Sequence, residues 1–172
     1  MDRTAGLNYC VRCGQRLEMR QAFGALRPVC TGCGRTHFVD PKVAVGLLIE
    51  AGRRLLLVRR SQDPQQGKWS IPAGFMDGGE NPMRAAQREA LEETGLEVEI
   101  TGLQDIYPAG DDGGGADMLI VYRGRVTGGE LRPGDDASEA GYFAADDLPE
   151  LAFASTQAII ARWRKELDLP AG

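Results

Sequence analysis

Nothing in this 172-residue sequence approaches the roughly 18 consecutive apolar residues that a membrane-spanning helix needs, so no helical membrane anchor is expected. The opening residues, MDRTAGLNYC, lack the apolar core of a secretion signal, and the expected location is the cytoplasm. Cysteine is scarce. Without an export signal, the four that occur are expected as reduced thiols or metal ligands rather than disulfides. An excess of positive charge is missing too: the formal net charge of −5 argues against tight non-specific nucleic-acid binding, and no stable nucleic-acid partner is expected. No internal repeat is evident.

What is present suits a globular protein. A 42% hydrophobic and 26% charged composition is ordinary, and the length allows one well-buried domain plus a small accessory module. Charge divides unevenly between the two. Residues 1–40 hold six arginines against Asp2, Glu18 and Asp40, so residues 41–172 carry about −8. Asp40-Pro41 marks the boundary, because a residue before proline is pushed towards extended conformations. The expected organisation is a cysteine module over 1–40 and a larger domain over 41–172.

Within the larger domain, KVAVGLLIE (42–50) and RRLLLVRR (53–60) read as strands joined at Ala51-Gly52. In the first strand both alternating sets are apolar, which predicts cover on both faces. Further strands are expected over 97–107, 117–126 and 140–144. Two helices are expected: 82–94, and 156–167 with Ser155 as its cap. One mixed sheet with a helix against each face accommodates them. Residues 108–117, with four glycines and three aspartates, cannot pack a core and read as flexible.

The cysteines form two C-x-x-C pairs, Cys10/Cys13 and Cys30/Cys33, with sixteen residues between them, the spacing of a four-cysteine metal site. Four thiolates suit tetrahedral zinc in a closed, structural site. Gly14 and Gly34 follow the pairs at the same offset, where a tight turn favours a residue without Cβ. Iron fits the same ligand set, and two disulfides or a thiol redox pair are the other readings. His37 reads as a structural or surface residue rather than a fifth ligand.

The stretch GFMDGGENPMRAAQREALEETGL (74–96) places four glutamates around one short helix. Asn81 caps it, Pro82 fits its first position and Gly95 ends it. Met83, Ala86 and Ala90 share a face that can pack on a sheet, while Glu89, Glu92 and Glu93 fall at i, i+3 and i+4 on another. In a partly enclosed cleft, two carboxylates about 4 Å apart repel by about 4 kcal/mol at an effective dielectric near 20. A solvated acidic face would tolerate the pattern. A glycine-rich loop that brings Asp77 and Glu80 to the same helix start favours a divalent cation, and carboxylate oxygens are what magnesium or manganese prefers.

Gly74, Glu80, Arg88, Glu89, Glu92, Glu93, Gly95 and Leu96 stand as in the Nudix box, G-x5-E-x7-R-E-U-x-E-E-x-G-U, where U is bulky and aliphatic. The chain therefore resembles the Nudix hydrolases. Ala90 at the first U position is the one weak fit. The resemblance implies an α/β fold (α+β in its helix and strand order), the Nudix α/β/α sandwich with a mixed sheet, over 41–172. With a zinc ribbon ahead of it, the chain is similar to ADP-ribose and FAD pyrophosphatases, and more distantly to NADH pyrophosphatases.

It also implies a metal-dependent hydrolysis of the diphosphate bond in a nucleoside diphosphate linked to another moiety. Glu89, Glu92 and Glu93, with the carbonyl of Gly74, are the implied ligands of Mg²⁺ or Mn²⁺; Arg88 is assigned to orienting Glu92. The general base is open between Glu92 and Glu139. Glu80 reads as a helix-start carboxylate or an outer metal ligand. Trp69 and Tyr107 are read as core residues or as aromatic surfaces for a base. Of Arg59 and Arg60, at most one can meet a phosphate; Arg60, with Trp69 and Glu139, is carried as a substrate contact.

The NADH-preferring branch carries a further motif after the box, absent from LQDIYPAGDDGGGADMLIV, and another domain before the ribbon, where this chain has nine residues. ADP-ribose or FAD is therefore the expected substrate. NADH or an 8-oxo-dGTP-type triphosphate is the alternative within the class, and a non-catalytic nucleotide sensor is the alternative outside it. The ribbon is expected to stabilise the fold or to contribute to a homodimer, as is common in relatives.

Overall fold

Two C-x-x-C turns and one hairpin make up the first unit, Met1–Pro41. β1 (Leu17–Ala22) and β2 (Ala25–Cys30) pair antiparallel, from Leu17 opposite Cys30 to Ala22 opposite Ala25. Phe23 and Gly24 turn the hairpin, both with positive φ, which matches the twist of its strands. The computed structural model describes residues 6–109 and 115–167. Of the described residues in this unit, only Cys10, Pro28, Cys30 and His37 are buried. The module thus has no aliphatic core of its own. His37 is structural rather than a surface residue, its Nε2 3.3 Å from Cys10 Sγ.

The second unit, Lys42–Gly172, runs β3 (Val43–Ala51), β4 (Arg54–Arg60), β5 (Trp69–Ser70), β6 (Ala73–Phe75), α1 (Pro82–Thr94), β7 (Leu96–Pro108), β8 (Met118–Gly129), β9 (Ala137–Ala144) and α2 (Ala154–Leu167). β3 and β4 form the expected hairpin but pair only beside the turn, at Glu50–Leu55 and Ala51–Arg54. Away from it, β3 takes β6 antiparallel and β8 parallel, while β4 takes β5 and β9 antiparallel. β7 lies antiparallel to β8. The sheet is mixed, as expected.

Both faces of β3 are covered. Val45, Leu47 and Ile49 pack with Leu56, Val98 and the alanines of α1. Leu48 packs with Leu55, Leu57, Val121 and the Ile159, Ile160 and Trp163 of α2. Each fully buried aliphatic side chain stabilises the fold by about 1.5–3 kcal/mol relative to exposure. This α/β arrangement, a helix against each face of one mixed sheet, sets the site at the edge where β6 meets α1.

Three expectations need adjustment. α2 begins at Ala154, so Ser155 lies buried in the first turn instead of capping it. β5 and β6, two and three residues long, leave no alternating pattern to read. β9 starts at Ala137, three residues before the expected strand, with a register shift opposite Arg59 and Arg60. Residues 110–114 of the segment read as flexible lie outside the described residues. Among the described residues no helix is long and apolar enough to cross a membrane.

Candidate active site

Asn81 opens α1 as expected: its Oδ1 accepts from the N–H groups of Met83 (3.0 Å) and Arg84 (3.4 Å), with Pro82 at the first position. Gly95, at φ 69°, closes it. Ala85, Ala86, Glu89, Ala90, Glu93 and Thr94 are its buried residues. Met83, expected on the packing face, is 44% exposed, and Ala85 is buried in its stead. Met83 lies in the first turn of α1, and Thr94, on the same side of the helix at its other end, is buried, so cover on that side is confined to the later turns.

Two glutamates therefore share the packed stripe. Glu89 is 7% exposed and Glu93 4%, whereas the Glu92 side chain is 43% exposed. Arg88 gathers the acidic groups. Its Nε and Nη2 donate to the Glu80 carboxylate at 3.0 and 3.1 Å, and Nη1 donates to Glu89 at 2.8 Å and to Glu92 at 2.9 Å. Nη2 also donates to the Phe75 carbonyl at 3.1 Å, which ties the helix to β6. Arg88 thus orients Glu92, and Glu80 and Glu89 as well. Glu80, read as a helix-start carboxylate, is a two-point partner of Arg88, which holds its carboxyl below the usual range. Their separation of eight residues across a loop gave no local signal for that pair.

Glu89 lies against the backbone of β6. A Cβ added to Gly74 would fall 2.1 Å from the Glu89 carboxylate, so only glycine leaves room for it. Glu93 accepts the Ala73 N–H at 2.9 Å. Burial pushes the Glu93 carboxyl well above the ordinary carboxylate value, despite that hydrogen bond, and Asp136 and Glu89 push it further. Burial also raises Glu89, against the pull of Arg88.

Asp136 was not singled out in the sequence. It lies just before β9, close enough to raise both buried glutamates. Its carbonyl accepts from the Ser61 N–H (2.8 Å) and Ser61 Oγ (2.6 Å), which pins its backbone. Glu139, the nearby acid that the sequence put forward, sits on β9 and pairs with Arg59 at 2.6 Å, both about half exposed. A register shift opposite Arg59 and Arg60, invisible in sequence, falls between Asp136 and Glu139 along the chain.

A cleft opens beside β6, lined among others by Ala44, Arg60, Gly74, Asp136, Phe153 and Thr156. The Arg60 guanidinium lies 5.1 Å from the centre of the Phe153 ring, and its Nε donates to the Pro64 carbonyl at 2.8 Å. Arg59 is turned to Gly67 and Glu139, so only Arg60 of the two reaches the cleft. Trp69 packs edge-on against Phe143, 4.7 Å between ring centres, and both adjoin the core on the α2 side. Tyr107 packs against the same core. Neither ring is part of the cleft wall.

In the first unit, Cys10, Cys13, Cys30 and Cys33 bring their sulfurs within 4.8 Å of one another. Cys10–Cys33 is 3.8 Å and Cys13–Cys30 is 3.4 Å. A Zn–S length of about 2.3 Å puts tetrahedral sulfurs roughly 3.8 Å apart, so the cluster could hold one zinc ion. Among the described residues no three carboxylates converge in this way. Arg88 and the Ala73 amide hold their oxygens instead.

The NUDIX domain family model matches residues 40–164. An ADP-ribose pyrophosphatase of Methanocaldococcus jannaschii is 39% identical over 130 residues, which are 74% of this chain and 77% of that protein. The NAD-capped RNA hydrolase NudC of Stutzerimonas stutzeri is 30% identical over 94% of this chain, which spans about half (55%) of that relative's length. A crystal structure of a NUDIX hydrolase from Nitrosomonas europaea superposes with a TM-score of 0.84 at 30% identity, covering 95% of both chains. With the fold, the glutamate-bearing helix and these likenesses in agreement, the chain belongs to the Nudix hydrolase family.

Proposed function

We propose that the chain hydrolyses the diphosphate bond of a nucleoside diphosphate linked to another moiety, with ADP-ribose or FAD as substrate and AMP plus a phosphorylated fragment as products. One observation carries this reading above the rest: Glu89 and Glu93 are buried on the same stripe of α1, beside Asp136, with Arg88 on Glu89 and the uncharged Ala73 amide on Glu93. A merely solvated acidic face would not bury them. The Methanocaldococcus jannaschii relative, an ADP-ribose pyrophosphatase, favours ADP-ribose.

The donor set fits a hard divalent cation. Glu93, burdened by burial and by two acidic neighbours, has most to gain from one, and Glu89 is held tight against the Gly74 backbone. Glu89, Glu92 and Glu93, with the Gly74 carbonyl, would hold Mg²⁺ or Mn²⁺, and Asp136 adds a further acid at the same place. When bound, the ion supplies charge neutralisation on phosphate oxygens and acidifies a water for in-line attack at phosphorus.

The chain's own groups do the rest. Arg88 keeps Glu89 and Glu92 aimed from one guanidinium. The more exposed Glu92 is placed to take the proton of the attacking water as a new O–P bond forms and the bridging P–O bond breaks. Arg60, held against Phe153 in the cleft wall, supplies a fixed positive charge for the substrate. The four-cysteine ribbon takes a structural part, with zinc as its ion.

Incubating the full chain with ADP-ribose, FAD, NADH and 8-oxo-dGTP in turn, with Mg²⁺ or Mn²⁺ and product masses as readout, tests the proposal. AMP from ADP-ribose or FAD is the expected result. Intact ADP-ribose and FAD beside cleaved 8-oxo-dGTP would transfer the assignment to triphosphate clearance. Binding without any turnover would make the protein a sensor.

A further inference from the structure

The two cysteine turns repeat each other position by position. The residue before each first cysteine bridges the residue six after it, Tyr9 with Arg16 and Val29 with Thr36. Cys10 N–H donates to Gln15 and Cys30 N–H to Arg35, at 2.8 and 2.9 Å. Gly14 and Gly34 donate back to Cys10 and Cys30, both at φ 71°. One step further on, Leu17 N–H donates to Asn8 and His37 N–H to Pro28, at 3.0 and 2.8 Å.

Leu17 and His37 are thus equivalent positions, each seven residues after a first cysteine and each beside the other turn. Leu17 stands opposite Cys30 in the hairpin register, and His37 reaches Cys10. One is a hydrocarbon and the other a hydrogen-bonding ring. Cys30 Sγ takes a backbone donor, the Cys33 N–H at 3.3 Å.

We propose that His37 donates a hydrogen bond from Nε2 to the Cys10 thiolate and by doing so slows the loss of a zinc ion held by the four cysteines. A metal-bound thiolate has no proton and can only accept, so the shared proton must sit on Nε2. Four thiolates around Zn²⁺ leave the cluster at a formal −2, and a buried N–H aimed at one sulfur draws off part of that charge. Partners of this kind change metal affinity by about 10–100-fold when lost. His37 is therefore a positioning residue for the metal site.

The equivalence of the two positions supplies the test variant. Leu17 shows that this fold accepts leucine there, so His37→Leu removes the donor at small cost to packing. Zinc release from the full-length, zinc-loaded protein into excess chromophoric chelator should be about tenfold faster in His37→Leu than in the parent. In the cobalt-loaded protein, the sulfur-to-metal charge-transfer band should move to longer wavelength, because the sulfur that loses its donor becomes more electron-rich. Equal release rates with an unmoved band in a folded His37→Leu protein would overturn the proposal. If His37→Leu cannot be loaded, His37→Gln and His37→Met decide. Slower release from the glutamine variant, which keeps a donor, supports the hydrogen bond, and equal rates overturn it.

Discussion

The cysteine ribbon and the glutamate helix both concentrate acidic ligands, yet they stand in opposite relations to the fold around them. In the ribbon the four sulfurs converge, and among the described residues the buried ones are two of the ligands, Cys10 and Cys30, with Pro28 and His37. On α1 the carboxylates are held apart by Arg88 and the Ala73 amide, on a helix already packed by alanines against β3. An ion in the ribbon would replace a core that is too small to form. An ion beside α1 would be added to a core that exists without it. Changes to the acidic groups beside α1 are thus expected to leave the fold in place, and loss of a cysteine ligand to unfold the ribbon.

The comparison breaks most readily at the ribbon. Cys13→Ala removes one of four ligands, and the binding free energy of structural zinc, about 10–16 kcal/mol in small zinc modules, is the free energy of their folding. The expected outcome is loss of hydrogen-exchange protection throughout residues 6–41, with the protection of β3, β4 and both helices retained. Retained protection in the ribbon would show that its turns hold without the ion.

Glu93→Gln comes next. Turnover should fall on the order of 10²–10⁴-fold, as for other groups that act in the transition state. Melting of the metal-free protein should not fall with it, since the amide oxygen can still accept the Ala73 N–H and the amide has no charge to bury at any pH. A joint loss of turnover and stability would mean that the glutamate is structural.

A smaller effect lies in pH. Raised carboxyls bind more protons in the folded than in the unfolded state, so metal-free stability should decline as pH rises from the ordinary carboxylate value near 4.5 through the raised values of Glu89 and Glu93. Glu80, lowered by Arg88, has the opposite sign, and its contribution is lost as pH falls below 4.5. Thermal melts from pH 5 to 8 with chelator should show the decline, and added Mn²⁺ should flatten it.

The smallest effect is expected from Glu139→Gln. Its pair with Arg59 is exposed, so stability should change by less than about 1 kcal/mol, and turnover by less than about threefold. A loss of two orders of magnitude would instead identify Glu139 as the base.

What could be read ahead of the structure follows from local physics. The ends of α1, the two-sided β3 and the spacing of the cysteines depend on residues near one another in sequence. Asn81, Pro82 and Gly95 therefore marked the helix correctly. The Glu80–Arg88 pair and Asp136 depend on chain segments that meet only after folding. Met83 was placed on the packed face because periodicity gives a residue's side of a helix, not whether the rest of the protein covers that end of it. β6 was missed for want of length, although it supplies both Gly74 and the Ala73 amide.

Titration calorimetry with Mn²⁺ in two buffers of different ionisation heat tests the central claim most directly. Saturable uptake by the ribbon-intact protein is expected, with protons released as the ion competes with them for the raised carboxyls of Glu89 and Glu93, and with loss of both in the Glu89→Gln, Glu93→Gln double variant. No uptake by the parent, or uptake undiminished in the double variant, would contradict it.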